Sequence, residues 1–358
     1  MIVQQSFIHC LTTFNLSTYQ PYNISWRVHE FLFYLLPNLY KISGVHGGKR
    51  YKMKRTLILL IVAAFLITGC QKELLSTKKQ ATSENLWDGF AARQPGPQLF
   101  TVTTAFASNL FGQKGTRLQI PANAFISAAG APVTGQVNIE LREIYEVWEM
   151  VLYNKFTQSG TQPIESGGEF FIRATQNGQE LRLAPNLILR ASLPAANPLP
   201  GMQVFYGSRF DSAGASNFSW QLSEDRITNN VSIAMDSVNM GSYLMEVDSL
   251  AWINCDRFIN ETMNQVNITI TNSIAGDQAS VLVHFTGMRS IIQAWSTGLG
   301  MFKSSVPSRA ATLIAVTNRD GQLHTAFNAV QLQAGGNYSL TLSPTTEEAF
   351  INRLKELN

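Results

Sequence analysis

The chain has 358 residues, a formal net charge of +3 and only 14% charged side chains. Seven of its 27 Lys and Arg, but only one of its 24 Asp and Glu, precede residue 70, so the chain from there onward carries a formal charge of −3. That balance leaves no basic patch with which to bind nucleic acid.

Residues 1–52 have no clear hydrophobic period and no signal character, although they hold Cys10, three histidines and an apolar patch from Phe31 to Leu36 that stops at Pro37. The expectation is that translation begins at Met53 and that 1–52 is a gene-start artefact, excluded from reasoning about the fold. Residues 53–69 are different. Lys54 and Arg55 precede an unbroken apolar run of eleven residues, Leu57 to Ile67. As a helix it is about 16 Å long, too short for a hydrocarbon core of about 30 Å. Positive start, short apolar run and small residues at the end describe a secretory signal peptide.

The run ends in Leu66-Ile67-Thr68-Gly69-Cys70, which resembles the lipobox of bacterial lipoproteins. The resemblance implies cleavage before Cys70, lipidation of its thiol and acylation of the new amino terminus. Several acyl chains anchor a protein stably where one holds it only marginally. Gln71-Lys72-Glu73 then resembles the surface-export signal of lipoproteins in Bacteroidota, with Leu74 in place of a further acid. The first resemblance implies an outer-membrane address; the second implies a surface face, while Gln71-Lys72-Glu73 read as a solvated charge pair at the head of a tether leaves the periplasmic face equally open. With Cys70 in a thioether, Cys255 is the free thiol of the mature chain and no intrachain disulfide can form.

Residues 70–97 read as the lipidated Cys and a polar, flexible tether with a reach of about 30 Å. Leu86, Trp87 and Phe90 interrupt it as a short amphipathic turn able to dock on the first domain. From Leu99 onward the pattern is β. Gln136 to Leu141 alternates, with Val137, Ile139 and Leu141 on one face. Asn177-Gly178 and Asn318-Arg-Asp-Gly321 are hairpin signals. Tyr145 to Asn154 fits one short helix or a crossing loop. The expected architecture is all-β: a first β-sandwich domain over 98–192, a proline-rich boundary at 193–201, and a second β-rich domain over 202–358. The latter ends in a short helix with Thr345 and Glu348 at capping-box spacing and a stripe of Phe350, Ile351, Leu354 and Leu357.

The stretch GTRLQIPANAFISAAGAPVTGQVNIELREI, residues 115 to 144, resembles the β-sandwich domain of netrin receptors and ankyrins, in which a proline turn joins the first strands. That resemblance implies an interaction module. The mature chain, with ESGGEFFIRATQNGQEL and WINCDRF, also resembles predicted lipoproteins of Bacteroidota. This second resemblance implies no particular activity.

Catalytic apparatus is sparse. His284 and His324 are the histidines of the mature chain, and neither lies in an H-E-x-x-H pattern, so no metal ligand and no cofactor is expected. Both read as surface or hydrogen-bonded histidines. Ser76-Thr-Lys-Lys79 matches S-x-x-K, but a tether cannot hold a nucleophile. Glu140, Glu143, Glu146 and Glu149, and Glu165 and Glu169, would suit a glycosidase only if two met in a cleft; a solvated face is the simpler reading. Cys255 reads as a small buried residue. Trp148, Trp220, Trp252 and Trp295 could stack on sugars, yet Trp is also a good core residue. Asp211-Ser212, Asp236-Ser237 and Asp248-Ser249, each followed by an apolar residue, resemble the O-glycosylation motif of exported Bacteroidota proteins, which implies glycans on Ser212, Ser237 or Ser249.

The expected function is therefore that of a non-catalytic, lipid-anchored envelope protein. It would bind or scaffold an envelope protein or polysaccharide, with the membrane as its other partner. The competing expectation is a surface carbohydrate binder or weak glycosidase.

Overall fold

The computed structural model of the chain describes residues 86–212, 215–224, 229–236 and 240–357. Cys70, the signal segment, Ser76, Lys79 and residues 1–52 lie outside them. The described body is all-β with two short α-helices, as the alternation of apolar residues requires.

Among the described residues, fourteen strands build the first sandwich. In chain order they are β1 (Gln98–Thr103), β2 (Ser108–Phe111), β3 (Arg117–Ile120), β4 (Phe125–Ser127) and β5 (Gln136–Ile144). Helix α1 (Val147–Leu152) comes next, then β6 (Gln158–Ser159), β7 (Gln162–Gln176), β8 (Gln179–Leu183), β9 (Leu189–Ala195) and β10 (Gln203–Ser212). The set closes with β11 (Ala215–Leu222), β12 (Val231–Met235), β13 (Gly241–Val247) and β14 (Trp252–Phe258). One sheet runs β1-β5-β7-β14-β10-β11, and the other runs β12-β13-β9-β3-β2. Val137, Ile139 and Leu141 of β5 have no exposure and face Leu118, Leu189 and Leu193 of the opposite sheet in one core. Each such side chain contributes about 1.5–3 kcal/mol on leaving water. Asn177 (φ 52°) and Gly178 (φ 77°) make the hairpin between β7 and β8, and both left-handed positions match what that dipeptide favours.

The boundary expected at 193–201 is corrected here, because the strands on either side of it share sheets. β9 pairs with β3 before it and β13 after it, while β14 and β10 join the sheet of β7. The prolines mark a crossing from one sheet to the other instead. Pro194 has its ladder partner on β13, beyond the last pairing of β9 with β3, where a missing N–H is tolerated. The first sandwich thus extends to Phe258.

The second β body consists of β15 (Met263–Ile270), β16 (Ser280–Phe285), β17 (Ile291–Gly298), β18 (Met301–Pro307), β19 (Ala310–Arg319), β20 (Gln322–Gln331), β21 (Asn337–Leu340) and β22 (Ser343–Pro344). They form one curled sheet in the order β21-β15-β18-β17-β16-β19-β20-β22. Its concave side encloses Val266, Val283, Phe285 and Leu313. Asp320 (φ 50°) and Gly321 (φ 85°) turn the β19–β20 hairpin, with the Gly321 N–H donating to Asn318 Oδ1 at 2.8 Å.

A third core joins the two bodies. Leu86–Arg93 is a 3-10 helix whose Trp87 and Phe90 are buried against α1, against Leu282 and Ile314 of the curled sheet, and against helix α2 (Glu347–Lys355). Leu86–Arg93, expected within the tether, belongs to the folded body, where this amphipathic turn docks on both parts. The cap of α2 is Thr346, one residue later than the spacing of Thr345 and Glu348 predicts. Thr346 Oγ1 accepts from the Ala349 N–H at 3.1 Å, and Phe350, Ile351 and Leu354 fill the shared core.

Candidate functional site

The expected solvated acidic face is overturned. Glu140, Glu143, Glu149, Glu165 and Glu169 are all buried, and Glu146 is half-buried. The outer face of the β5-β7-β14 sheet, which carries Glu140 and Glu169, is covered by α1 and by the curled sheet, whereas Glu143 shares the inner face of β5 with Ile139 and Leu141 and reaches the β2–β3 turn. Glu140 bonds Arg142 at 3.0 Å and also Arg173. Glu165 takes two N–H groups of Arg257 at 2.8 and 2.6 Å. Glu143 accepts from Gln98 Nε2 (2.7 Å), Lys114 N–H (2.9 Å) and Thr116 N–H (2.9 Å), which clasps the β2–β3 turn. Glu149 pairs with Lys114 Nζ and accepts from the Tyr145 and Glu146 N–H groups at the start of α1. These acids hold loops and strands in place.

Glu169 and Asp256 form a separate constellation. A bulge sets Gly167 and Gly168 against Cys255, between the pairs Asn254–Glu169 and Asp256–Ser166. A Cβ on Gly167 would lie 2.7 Å from the Tyr243 ring and 2.9 Å from the Cys255 carbonyl, so the close approach demands glycine. Asn254 Nδ2 donates to Glu169 Oε1 (3.3 Å) and Asp256 Oδ2 (2.6 Å), and its Oδ1 accepts from Ser166 Oγ at 2.8 Å. Glu169 Oε2 and Asp256 Oδ1 have no hydrogen-bond partner among the described residues. Burial pushes both carboxyls well above their usual range, and the charge of Asp256 adds to the effect on Glu169. Arg289, which donates to the Gly167 carbonyl at 3.0 Å, opposes it. Among the described residues no cluster of His, Cys, Asp and Glu is arranged to hold a metal ion.

His284 is buried, contrary to the surface or hydrogen-bonded reading. Alternation does turn it away from Val283 and Phe285, but both faces of β16 are covered. Neither ring nitrogen has a partner in good hydrogen-bond geometry among the described residues, and burial pushes the imidazole down to about 4, opposed by the neighbouring Met288 backbone. His324 Nδ1 lies 3.0 Å from the Gln322 carbonyl near the hairpin. Cys255 is buried as expected, and burial pushes its thiol well up, away from nucleophilic use. Of the candidate glycosylation serines, Ser249 is exposed in the link between β13 and β14. Ser237 and the side chain of Ser212 fall outside the described residues.

Described residues also line two open concavities. One, of about 660 Å³, lies on the outer face of the β12-β13-β9-β3-β2 sheet, where Phe111, Arg117, Arg190 and Leu244 point outward. Arg190 is occupied by Glu246 at 3.0 Å. The other, of about 370 Å³, lies where the β6–β7 turn of the first sandwich meets β17. That seam is tightly built: Thr157 N–H donates to the Ile291 carbonyl (2.8 Å), Ile291 N–H to Thr157 Oγ1 (2.7 Å) and Gln293 N–H to Gln158 Oε1 (2.8 Å). Trp295 stands in this groove with 40% of its surface exposed. The other tryptophans in question are engaged: Trp220 is buried against Phe218, Trp252 meets Tyr153 and Phe171, and Trp148 lies under Lys355. Nothing in the sequence distinguished Trp295 from them, since alternation along β17 does not say which face stays open.

No family model matches the chain. No curated protein matches it either.

Proposed function

We propose that the protein is a binding or scaffolding module of the cell envelope, held to the outer membrane by lipid on Cys70. The observation that carries the non-catalytic part is the fate of the acids. Five carboxylates that could have served a hydrolase are buried, and four of them hold arginines, a lysine or backbone N–H groups. Neither open concavity is lined by a pair of carboxylates. The anchoring part rests on the order of charge, apolar run and cysteine in residues 54–70. Glycosylation of Ser249 belongs to the same reading, because a glycan needs an exposed hydroxyl.

Two measurements test it. Cys70→Ala expressed in a native-like host should leave the detergent phase and accumulate as uncleaved or soluble protein; ordinary membrane partition of the variant overturns the anchor. Wild-type protein incubated with polysaccharides and peptidoglycan should release no reducing ends, and steady release abolished by Glu165→Gln or Glu169→Gln overturns the non-catalytic assignment. The second reading, carbohydrate binding, is favoured by the exposed indole of Trp295 in its groove.

A further inference from the structure

The groove at Trp295 has a lining that selects a ligand by its chemistry. Its polar contributors are Gln158, Thr161, Gln293, Ser296 and Ser304, and no ionisable side chain lines it. Lys303 stands across from Trp295 on the neighbouring strand but outside the lining. Apart from Lys303 at its edge, the groove gives an anionic or cationic ligand nothing to offset its desolvation. Amides and hydroxyls, by contrast, both donate and accept, which is what a vicinal diol presents. The indole is flat and 40% exposed, and no aromatic partner covers it among the described residues. Sugar rings offer a face of axial C–H groups to such a surface while their hydroxyls reach sideways to polar groups.

The groove is also pre-organised. Gln293 is fixed at both ends, by its N–H on Gln158 and by Nε2 on Ser280 Oγ at 2.7 Å. The rim at Gly160 is fixed in turn by its N–H on Ser219 Oγ at 2.9 Å, a residue of β11. Holding both walls before binding lowers the ordering cost on association. The junction between two packed bodies is a common place for such a site. From these observations we infer that the groove between the β6–β7 turn and β17 binds an uncharged glycan chain, with one sugar ring stacked on Trp295 and its hydroxyls held by Gln158 and Gln293. This rests on the binding-module reading above and names its ligand class.

Leu299 and Met301 are exposed on the same hairpin and would suit a protein or lipid surface as well. The uncharged lining and the amide-lined floor at Trp295 favour the glycan, and the test separates it from a lipid surface. The full chain is run by affinity electrophoresis through gels containing β-glucan, xylan, mannan or amylopectin, with pectin as an anionic control, and is sedimented with phosphatidylglycerol–phosphatidylethanolamine vesicles. Retardation by at least one neutral polysaccharide is expected. Trp295→Ala should weaken it by about tenfold or more, and Gln293→Ala severalfold, with unchanged thermal midpoints. No retardation by any neutral polysaccharide overturns the inference, as does binding to pectin or vesicles alone. Retardation that survives Trp295→Ala overturns the site while leaving the binding-module reading intact. Release of reducing ends would instead sink that reading, whichever residue binds.

Discussion

Glu169 and Asp256, neither with any solvent exposure, are bridged by a single amide: Asn254 Nδ2 donates 3.3 Å to one and 2.6 Å to the other. Each keeps one oxygen without a partner among the described residues. Burial raises the pKa of each carboxyl, and the charge of Asp256 raises that of Glu169 further against the opposing cations Lys155 and Arg289, which has a stability consequence.

In the unfolded chain both groups ionise near pH 4, whereas in the fold they stay neutral to higher pH. Stability from this pair is therefore greatest below about pH 4 and declines as pH rises above it. Glu169→Gln keeps the amide-compatible shape and removes the ionisation. It is expected to raise stability at pH 7 by about 1 kcal/mol or more and to flatten the decline between pH 4 and 7. Urea denaturation at several pH values reads both, and parallel curves for the two proteins would contradict the assignment.

His284 works in the opposite direction. Its imidazole is neutral in the fold down to about 4, while the unfolded chain protonates near 6.5. Stability is full above pH 6.5 and falls by about 3 kcal/mol as pH drops toward 4. His284→Leu should remove that acid loss and leave no orphaned ring nitrogens. An unchanged midpoint shift between pH 7 and pH 4.5 would show that another group is responsible.

The face of β5 gives a paired test. Ile139 has no exposure, whereas Asn138 is exposed beside Thr101. Ile139→Asp should unfold the first sandwich or cost more than about 4 kcal/mol, while Asn138→Asp should stay within about 0.5 kcal/mol. Equal melting temperatures would mean that the strand faces the other way.

Glu143 clasps the β2–β3 turn through three acceptor contacts. Glu143→Ala leaves the Thr116 N–H buried without an acceptor and should cost about 2–3 kcal/mol. Hydrogen exchange is expected to quicken at residues 112–116 first; unchanged protection there would assign the clasp to the Thr116–Tyr145 hydroxyl contact instead.

What the sequence shows of this architecture is what depends on local pattern. Val137, Ile139 and Leu141 announce their face by alternation, and Asn177-Gly178 and Asp320-Gly321 announce their hairpins by left-handed φ. What it hides depends on what covers a face. Alternation places Glu169 and His284 on particular sides of β7 and β16, but only the packing of α1 and the curled sheet makes those sides interior. The prolines at 194, 198 and 200 look the same whether they end a domain or carry the chain between sheets. Trp295 differs from Trp220 and Trp252 in keeping 40% of its surface exposed.

The 3-10 helix at Leu86–Arg93 has a consequence for the order in which the body can assemble. Its Trp87 and Phe90 close a core whose opposite wall is α2, and Arg93 bonds Glu347 at 3.0 Å across 254 positions of sequence. A chain delivered from its N-terminal end therefore carries these aromatic rings without the last wall of their core until α2 arrives. Contacts of such long sequence separation form slowly, on a scale of about milliseconds to seconds. During that interval Trp87 and Phe90 are adhesive surface, a natural hold for a chaperone. A copy cut short before Phe350 lacks one wall of that core, so the ring of Phe90 loses its Phe350 partner while Trp87 keeps Phe156.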